Sequence, residues 1–347
     1  MKKLAEIIKT KLPLIQAPMA GSQDADLAIA VCNAGGLGSL PCASISHEKI
    51  KNEVEKIRSQ TDAPFNLNFF CHVNPDWEEK REEIWKKTLE PYFIEFGLDV
   101  NQNLPPSSRN PFDEDSCKLI EELRPPVVSF HFGLPHQDFI KRIKKTGAVI
   151  LSSATTVEEA IWLEKNGCDA IIAQGLEAGG HRGIFLSKDL STQLGTMSLV
   201  PKIVDAVKIP VIASGGIADT RGVKACFELG AVGIQIGTAY LFTHEAKISV
   251  VHKEALLAPG PKITALTNIF TGRPARGIVN RIMREIGPIT NHAPEFPLAG
   301  GRLAPLKKIS EERKSGDFSS LWAGQSVELG QVMSAEELTK KLMSFNN

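Results

Sequence analysis

Eight short apolar runs recur along this chain, and segments of helical periodicity lie between most of them. The runs cover 12–16, 36–40, 65–69, 127–131, 148–151, 170–174, 210–214 and 232–236. Most are apolar nearly throughout, the pattern of parallel strands covered on both faces. The segments between them carry helix signals. Asp24 precedes 25–34 and Gly35 ends it; Ser46 precedes a stretch with Ile50, Val54 and Ile57 on one face. Thr156 with Glu159 reads as a capping box with Gly167 as the stop, and Asp219 opens 220–229 before Gly230. Strand–helix alternation means a parallel sheet. Eight such units favour a closed (β/α)8 TIM barrel of the α/β class over an open sheet.

Two stretches break the rhythm. The first is a long insert, about 72–125, far longer than an ordinary connection. It holds Trp77, Trp85, Tyr92 and Phe93, then a Pro/Ser/Asn-rich part at 104–111. It reads as a helix plus a long loop capping the barrel mouth. The second is 242–347, with helical patterns, a loop at 288–302 and a last helix capped by Ser334 and Glu337. The division expected is therefore a ligand-binding barrel over 1–241 and a smaller, mostly helical region over 242–347 that completes the substrate pocket.

Composition removes several classes of function. Lys plus Arg is 40 and Asp plus Glu is 40, a formal net charge of zero. That gives no bulk attraction to nucleic acid or an anionic membrane. No apolar run approaches the roughly 20 residues that span a bilayer. Residues 1–10 lack the apolar core and cleavage site of a signal peptide. The six cysteines are scattered, which argues against a structural zinc site or a disulfide framework, and no metal site is expected. A reduced, cytoplasmic enzyme acting on a small molecule, as a monomer or homodimer, is the expectation.

Barrel chemistry gathers at the C-terminal ends of the strands. The most informative loop there is 174–183, Gln-Gly-Leu-Glu-Ala-Gly-Gly-His-Arg-Gly. One imidazole, His181, stands among four glycines, where backbone can approach a ligand closely and a base titrates near neutrality. A glycine-rich turn with a surface histidine fits that loop equally well when it is taken alone. Paired glycine loops follow the seventh and eighth runs, Gly215–Gly216 and Gly237–Thr238. Barrels often bind phosphate between those loops, with amides and a following helix end aimed at the anion. No dinucleotide fingerprint follows a strand, so a flavin mononucleotide suits the arrangement. Asn68 and Gln174, at strand ends, are candidates to hold its ring, or else satisfy loop carbonyls. Of the eight histidines, His181 is the best base. His72 and His131 are strand-end residues that line the pocket or sit satisfied in the core, and His47, His136, His244, His252 and His292 read as surface residues. Arg273 and Arg276, in a Gly-Arg-Pro-Ala-Arg-Gly turn, suggest an anion contact or a helix-end salt bridge.

These segments together resemble the nitronate monooxygenases, formerly 2-nitropropane dioxygenases, in their class I branch. The matching stretches are QAPMAG (16–21), AGGLG (34–38), NLNFFCH (66–72), QGLEAGGHRG (174–183), ASGGI (213–217), QIGT (235–238) and GRPARG (272–277). The WAGQ tail at 322–325 also matches. The resemblance implies a TIM barrel with bound FMN and a detoxifying activity: oxidation of alkyl nitronates, expected to be propionate 3-nitronate, by O2 to a carbonyl compound and nitrite. The chemistry implied is one-electron, through a flavin semiquinone, with no NAD(P)H requirement. Carried over by position, flavin contacts fall on Ala17, Met19, Asn68, Gln174, Gly179, Gly216, Gln235, Ile236, Gly237 and Thr238, and the catalytic role falls on His181. Two rival readings share the barrel. One is a flavin-dependent enoyl-(acyl carrier protein) reductase using NAD(P)H; the other is a flavin-binding regulatory barrel without turnover.

Overall fold

The computed structural model of the chain describes residues 4–102 and 109–344. All eight apolar runs form strands: β1 (Leu14–Gln16), β2 (Gly38–Pro41), β3 (Phe65–Phe70), β4 (Val127–His131), β5 (Val149–Ala154), β6 (Ala170–Gln174), β7 (Val211–Ser214) and β8 (Gly233–Ile236). They pair in parallel in the order β1-β8-β7-β6-β5-β4-β3-β2. A bridge between Ile15 and Leu37 joins β1 to β2, with Leu37 N donating to Leu14 O at 2.8 Å, and this closes the ring. The protein is a TIM barrel. Burial on both strand faces explains why the runs are continuous rather than alternating.

The bottom of the barrel is plugged from inside the same chain. The helix Leu4–Ile8 buries Leu4 and Ile8 against Ile15, Leu37, Leu151 and Ile212. On the outside, helix Ala25–Asn33 is capped by Asp24, whose side chain accepts from Asp26 N at 3.0 Å. It packs so closely on β2 that a Cβ at Gly38 would stand 2.1 Å from Ala28 O. Glycine is required there by contact, not by dihedral.

The insert proves to be two helices, Glu79–Phe96 and Glu114–Leu123. The second packs on the neighbouring barrel helices 47–60 and 137–145, so it is the ordinary helix of the third unit. Of the loop expected at 104–111, residues 104–108 lie outside the described residues. The first helix joins the C-terminal region. Trp85, fully buried, donates from Nε1 to Ala299 O at 3.2 Å, and Arg302 meets Glu82 at 3.3 Å with both side chains nearly buried. A second apolar cluster built on Trp85, Leu89, Phe93, Ile269, Leu303 and Phe318 results.

Several local expectations are corrected by packing. Helix Ala299–Glu312 begins inside the stretch read as a loop at 288–302. The GRPARG turn leads into a strand, not a helix end: Ala275–Ile278 lies between Thr264–Thr267 and the two-residue strand Gly180–His181 in a three-stranded antiparallel sheet. Glu159 completes no capping box. Thr156 Oγ1 does accept from Glu159 N at 3.2 Å, but the carboxylate turns inward to Thr155 N, Thr155 Oγ1 and the amides of Phe185 and Leu186. At Ser334 the box is complete.

Candidate active site

One large cavity opens at the C-terminal ends of the strands, with about 1310 Å³ of empty space counted out to the solvent at its mouth. Its wall includes every position expected to touch a flavin: Ala17, Met19, Asn68, Gln174, Gly179, Gly216, Gln235, Ile236, Gly237 and Thr238. His181 and His131 line it as well. His72 does not. Phe70, the last residue of β3, lines the cavity, whereas His72 lies past the strand's end and packs beside Phe296 with ring centroids 4.8 Å apart.

The loop after β6 is held from three sides. Arg182, fully buried, donates from Nη2 to Gln174 O and from Nη1 to Gly175 O, each at 2.7 Å, and from Nε to Gln193 Oε1 at 3.1 Å. Gln174 spends its side chain on the loop too: Nε2 donates to His181 O at 2.9 Å and Oε1 accepts from Gly183 N at 2.8 Å. The C-terminal region supplies the third side, pairing Ala275 with His181 and Arg276 with Gly180. Gly179 lets this happen, because a Cβ there would stand 2.6 Å from the backbone of Ala323 and Gly324. The glycine-rich loop is thus an anchored wall and not a loose turn.

His181 is set by this frame. Its Nε2 lies 2.9 Å from Thr271 Oγ1, and Thr271 Oγ1 is 3.4 Å from Arg273 O. If the hydroxyl donates to that carbonyl, it accepts from Nε2–H, and the imidazole lone pair is then on Nδ1. Nδ1 has no protein partner among the described residues and is not sealed from solvent. Burial pushes the imidazolium well below its usual range, and the charge of Arg109, then of His131, Arg273 and His72, adds to the effect. His131 is a positioning neighbour. Its Nε2 is 3.2 Å from His181 O, which can only accept, so Nδ1 accepts from Ser153 Oγ at 2.9 Å. Burial drives its pKa to about 3, which keeps that neutral tautomer. Phe296 and Trp322 flank the His181 ring at 5.4 and 5.6 Å.

The opposite end of the cavity is backbone. Gly215 and Gly216 follow β7 at φ +108° and +72°, conformations that suit glycine. The amides of Gly216, Gly237 and Thr238 donate to no protein group among the described residues. The short 3-10 helix Thr238–Phe242 has no side-chain cap, so its first amides remain open. The helix after β7 differs from the expectation: Asp219 already accepts from Arg221 N and Gly222 N and neutralises that end. Between the two ends lies Gln235, whose Oε1 is buried and unpartnered. Asn68 is tied on its Nδ2 side to Ser129 Oγ at 2.9 Å. The tail at 322–326 laces the three loops together: Gln325 N donates to Glu177 O, Gly324 N to Thr238 Oγ1, and Ser326 Oγ to Gly216 O, at 3.0, 2.9 and 2.8 Å.

The sequence model of the family described as Nitronate monooxygenase matches residues 1–344. The chain belongs to the nitronate monooxygenase family. It is 38% identical to the nitronate monooxygenase of Pseudomonas aeruginosa over 98% of both chains. Among solved structures it is similar to nitroalkane oxidase from Streptomyces ansochromogenes, with a TM-score of 0.88, 36% identity and coverage of 98% and 96%. It is less similar to FabK from Thermotoga maritima, with a TM-score of 0.71, 25% identity and coverage of 99% and 95%. As a family member it is an oxidoreductase, and nitronate oxidation on a flavin is the chemistry the family supports.

Several site residues carry no local signal in the sequence. Thr271, Phe296 and Arg109 reach the cavity or its histidine from regions far from any barrel strand, as does Trp322 of the WAGQ tail. His252, expected at the surface, is buried, with Nε2 donating to Trp322 O at 3.1 Å. Among the described residues Arg273 makes no helix-end ion pair. It lies 3.9 Å over the Phe132 ring and donates to Ile184 O.

Proposed function

We propose that this protein oxidises alkyl nitronates with O2 to a carbonyl compound and nitrite, with FMN as cofactor and His181 as the base and substrate-binding residue. One observation carries the reading: a neutral imidazole with a free Nδ1 shares a cavity with a set of unspent backbone amides. The residues fit a flavin mononucleotide. The open amides of Gly216, Gly237 and Thr238 suit a terminal phosphate. The orphaned Gln235 Oε1 suits a ring N–H. Ala17 and Met19 would line the ring. Bound FMN would supply the electron transfer between nitronate and O2.

The protein's own task is to hold substrate and move one proton. A neutral nitroalkane gives its α-proton to His181 Nδ1, while Nε2 stays fixed on Thr271. Burial disfavours the imidazolium, and the nitronate charge that develops beside it offsets that penalty. A substrate supplied as nitronate needs no base, and His181 then orients it. The aromatic flank of Phe70, Phe296 and Trp322 excludes water from the anion.

The test is direct. The purified protein should show a flavin spectrum and release nitrite while consuming O2 with propionate 3-nitronate. NADH should not replace the nitronate as reductant. A colourless protein that takes up no added FMN would overturn the reading.

A further inference from the structure

Behind the loop Gly215–Gly216 stand a carboxylate and a hydroxyl, Glu177 and Thr196, and neither lines the cavity. Thr196 opens the helix Thr196–Ala206, whose N-cap residue, Gly195, has no side chain to cap it. Glu177 reaches over from the loop after β6 and takes that place. Its two oxygens lie 3.0 and 2.8 Å from Thr196 N, and Oε2 is 2.9 Å from Thr196 Oγ1. The chain makes room for this contact. A Cβ at Gly175 would overlap Thr196 Oγ1, and one at Gly195 would stand 2.9 Å from Glu177 Oε1.

Thr196 Oγ1 also donates to Gly215 O at 2.8 Å. Gly215 O and the open Gly216 N–H belong to one peptide unit. That unit is trans, since the one cis bond among the described residues is Phe296–Pro297. In a planar trans peptide the carbonyl and the N–H point in opposite directions. Fixing the carbonyl on Thr196, behind the wall, therefore turns the Gly216 N–H to the cavity side. A peptide between two glycines meets little steric resistance to rotation, so this hydrogen bond decides where the amide points. Ser326 Oγ holds the next carbonyl, Gly216 O, and leaves this one to Thr196.

We propose that Thr196, held in place by Glu177, is a positioning residue for cofactor binding, which aims the Gly216 amide at the phosphate of FMN. This rests on the FMN reading above. Thr196 Oγ1 has one proton for two near acceptors, Gly215 O and Glu177 Oε2. Glu177→Gln removes that competition, because the amide Nε2 donates to Thr196 Oγ1 while Oε1 accepts from Thr196 N. The hydroxyl's bond to Gly215 O is then uncontested.

The test separates phosphate from ring. Protein stripped of flavin is titrated with FMN and with riboflavin, which has the same ring and no phosphate, and binding is read from flavin fluorescence. In Thr196→Val, FMN should bind about tenfold more weakly, with riboflavin within about twofold of the wild type. Thr196→Ser, which keeps the hydroxyl, should recover most of the FMN affinity, and Glu177→Gln should bind FMN at least as tightly as the wild type. In the loaded enzyme the phosphorus NMR signal of FMN should move in Thr196→Val and stay in place in Thr196→Ser. Thr196→Ala carries the same expectations as Thr196→Val if the valine variant does not fold. Equal weakening of both flavins, or unchanged FMN binding, would overturn the assignment, as would a Glu177→Gln variant as weak as Thr196→Val. A wild type that binds riboflavin as tightly as FMN, or binds neither, would instead refute the cofactor proposed above.

Discussion

At the residue scale the site is governed by which buried polar atoms are committed and which are left open. His181 has one nitrogen committed to Thr271 and one left open, the arrangement a base requires. His181→Asn is expected to cost about 100-fold or more on neutral nitroethane and less than about tenfold on ethyl nitronate, as measured by nitrite release. Equal losses would remove the base assignment. Arg182 is the opposite case, with its guanidinium spent on fold carbonyls; burial lowers its pKa to about 10, which leaves it charged at neutrality. Arg182→Met takes the guanidinium donors from the carbonyls of Gln174 and Gly175, of which Gly175 O keeps only Ala178 N at 3.1 Å among the described residues. At about 1–3 kcal/mol per buried unsatisfied group, it should lower the denaturation midpoint clearly and loosen the His181 loop. A midpoint equal to wild type would show that water replaces the guanidinium.

At the element scale, close approach decides more than helix or strand propensity. Gly179 sits against the Ala323–Gly324 backbone, and neither side can yield as a flexible side chain would. Gly179→Ala should part the β6 loop from the 322–326 tail and weaken FMN retention by about tenfold or more, because preorganised contacts are lost. Fluorescence titration of the apoprotein with FMN measures this; unchanged affinity would show that the tail does not shape the cofactor wall. The same residues show what a sequence reveals. The glycines at 179, 215, 216 and 237 mark the loops, since local backbone demands are written locally. The strand Ala275–Ile278 has only a turn signal in the sequence, because its partner Gly180–His181 is two residues long and lies far away in sequence.

At the scale of the whole molecule, two cores are joined across the mouth of the barrel. Trp85 is the centre of the second, between the insert helix and helix Ala299–Glu312. Trp85→Ala should cost about 3–5 kcal/mol and reduce activity together with stability, as read by thermal unfolding and turnover. A loss of stability with full activity would separate the added core from the site. Acid sensitivity is also a property of the whole fold. His72 and His252 are held at about 4 and His131 at about 3, chiefly by burial, and His181 is lowered as well. Folded values below the unfolded value of about 6.5 mean that the unfolded chain binds more protons under acid conditions. Stability is therefore full above about pH 6.5 and falls as pH drops toward the folded values, by up to about 1.4 kcal/mol per pH unit for each histidine. Urea midpoints measured from pH 7 to pH 5 check this, and a flat profile would show these histidines to be solvated.

The sequence alone determined the eight strands, their parallel barrel, the face that carries the site and the loop that holds His181. Those features rest on periodicity and on glycine and cap residues, whose causes lie within a few positions along the chain. Tertiary structure alone decided that Thr271 and Phe296 flank the imidazole, that Arg182 is structural while Arg109 faces the cavity, that His72 lies behind the wall, and that Trp322 to Ser326 bind the loops together. Each of those is a contact between distant segments, set by which surfaces pack, and no local pattern records it.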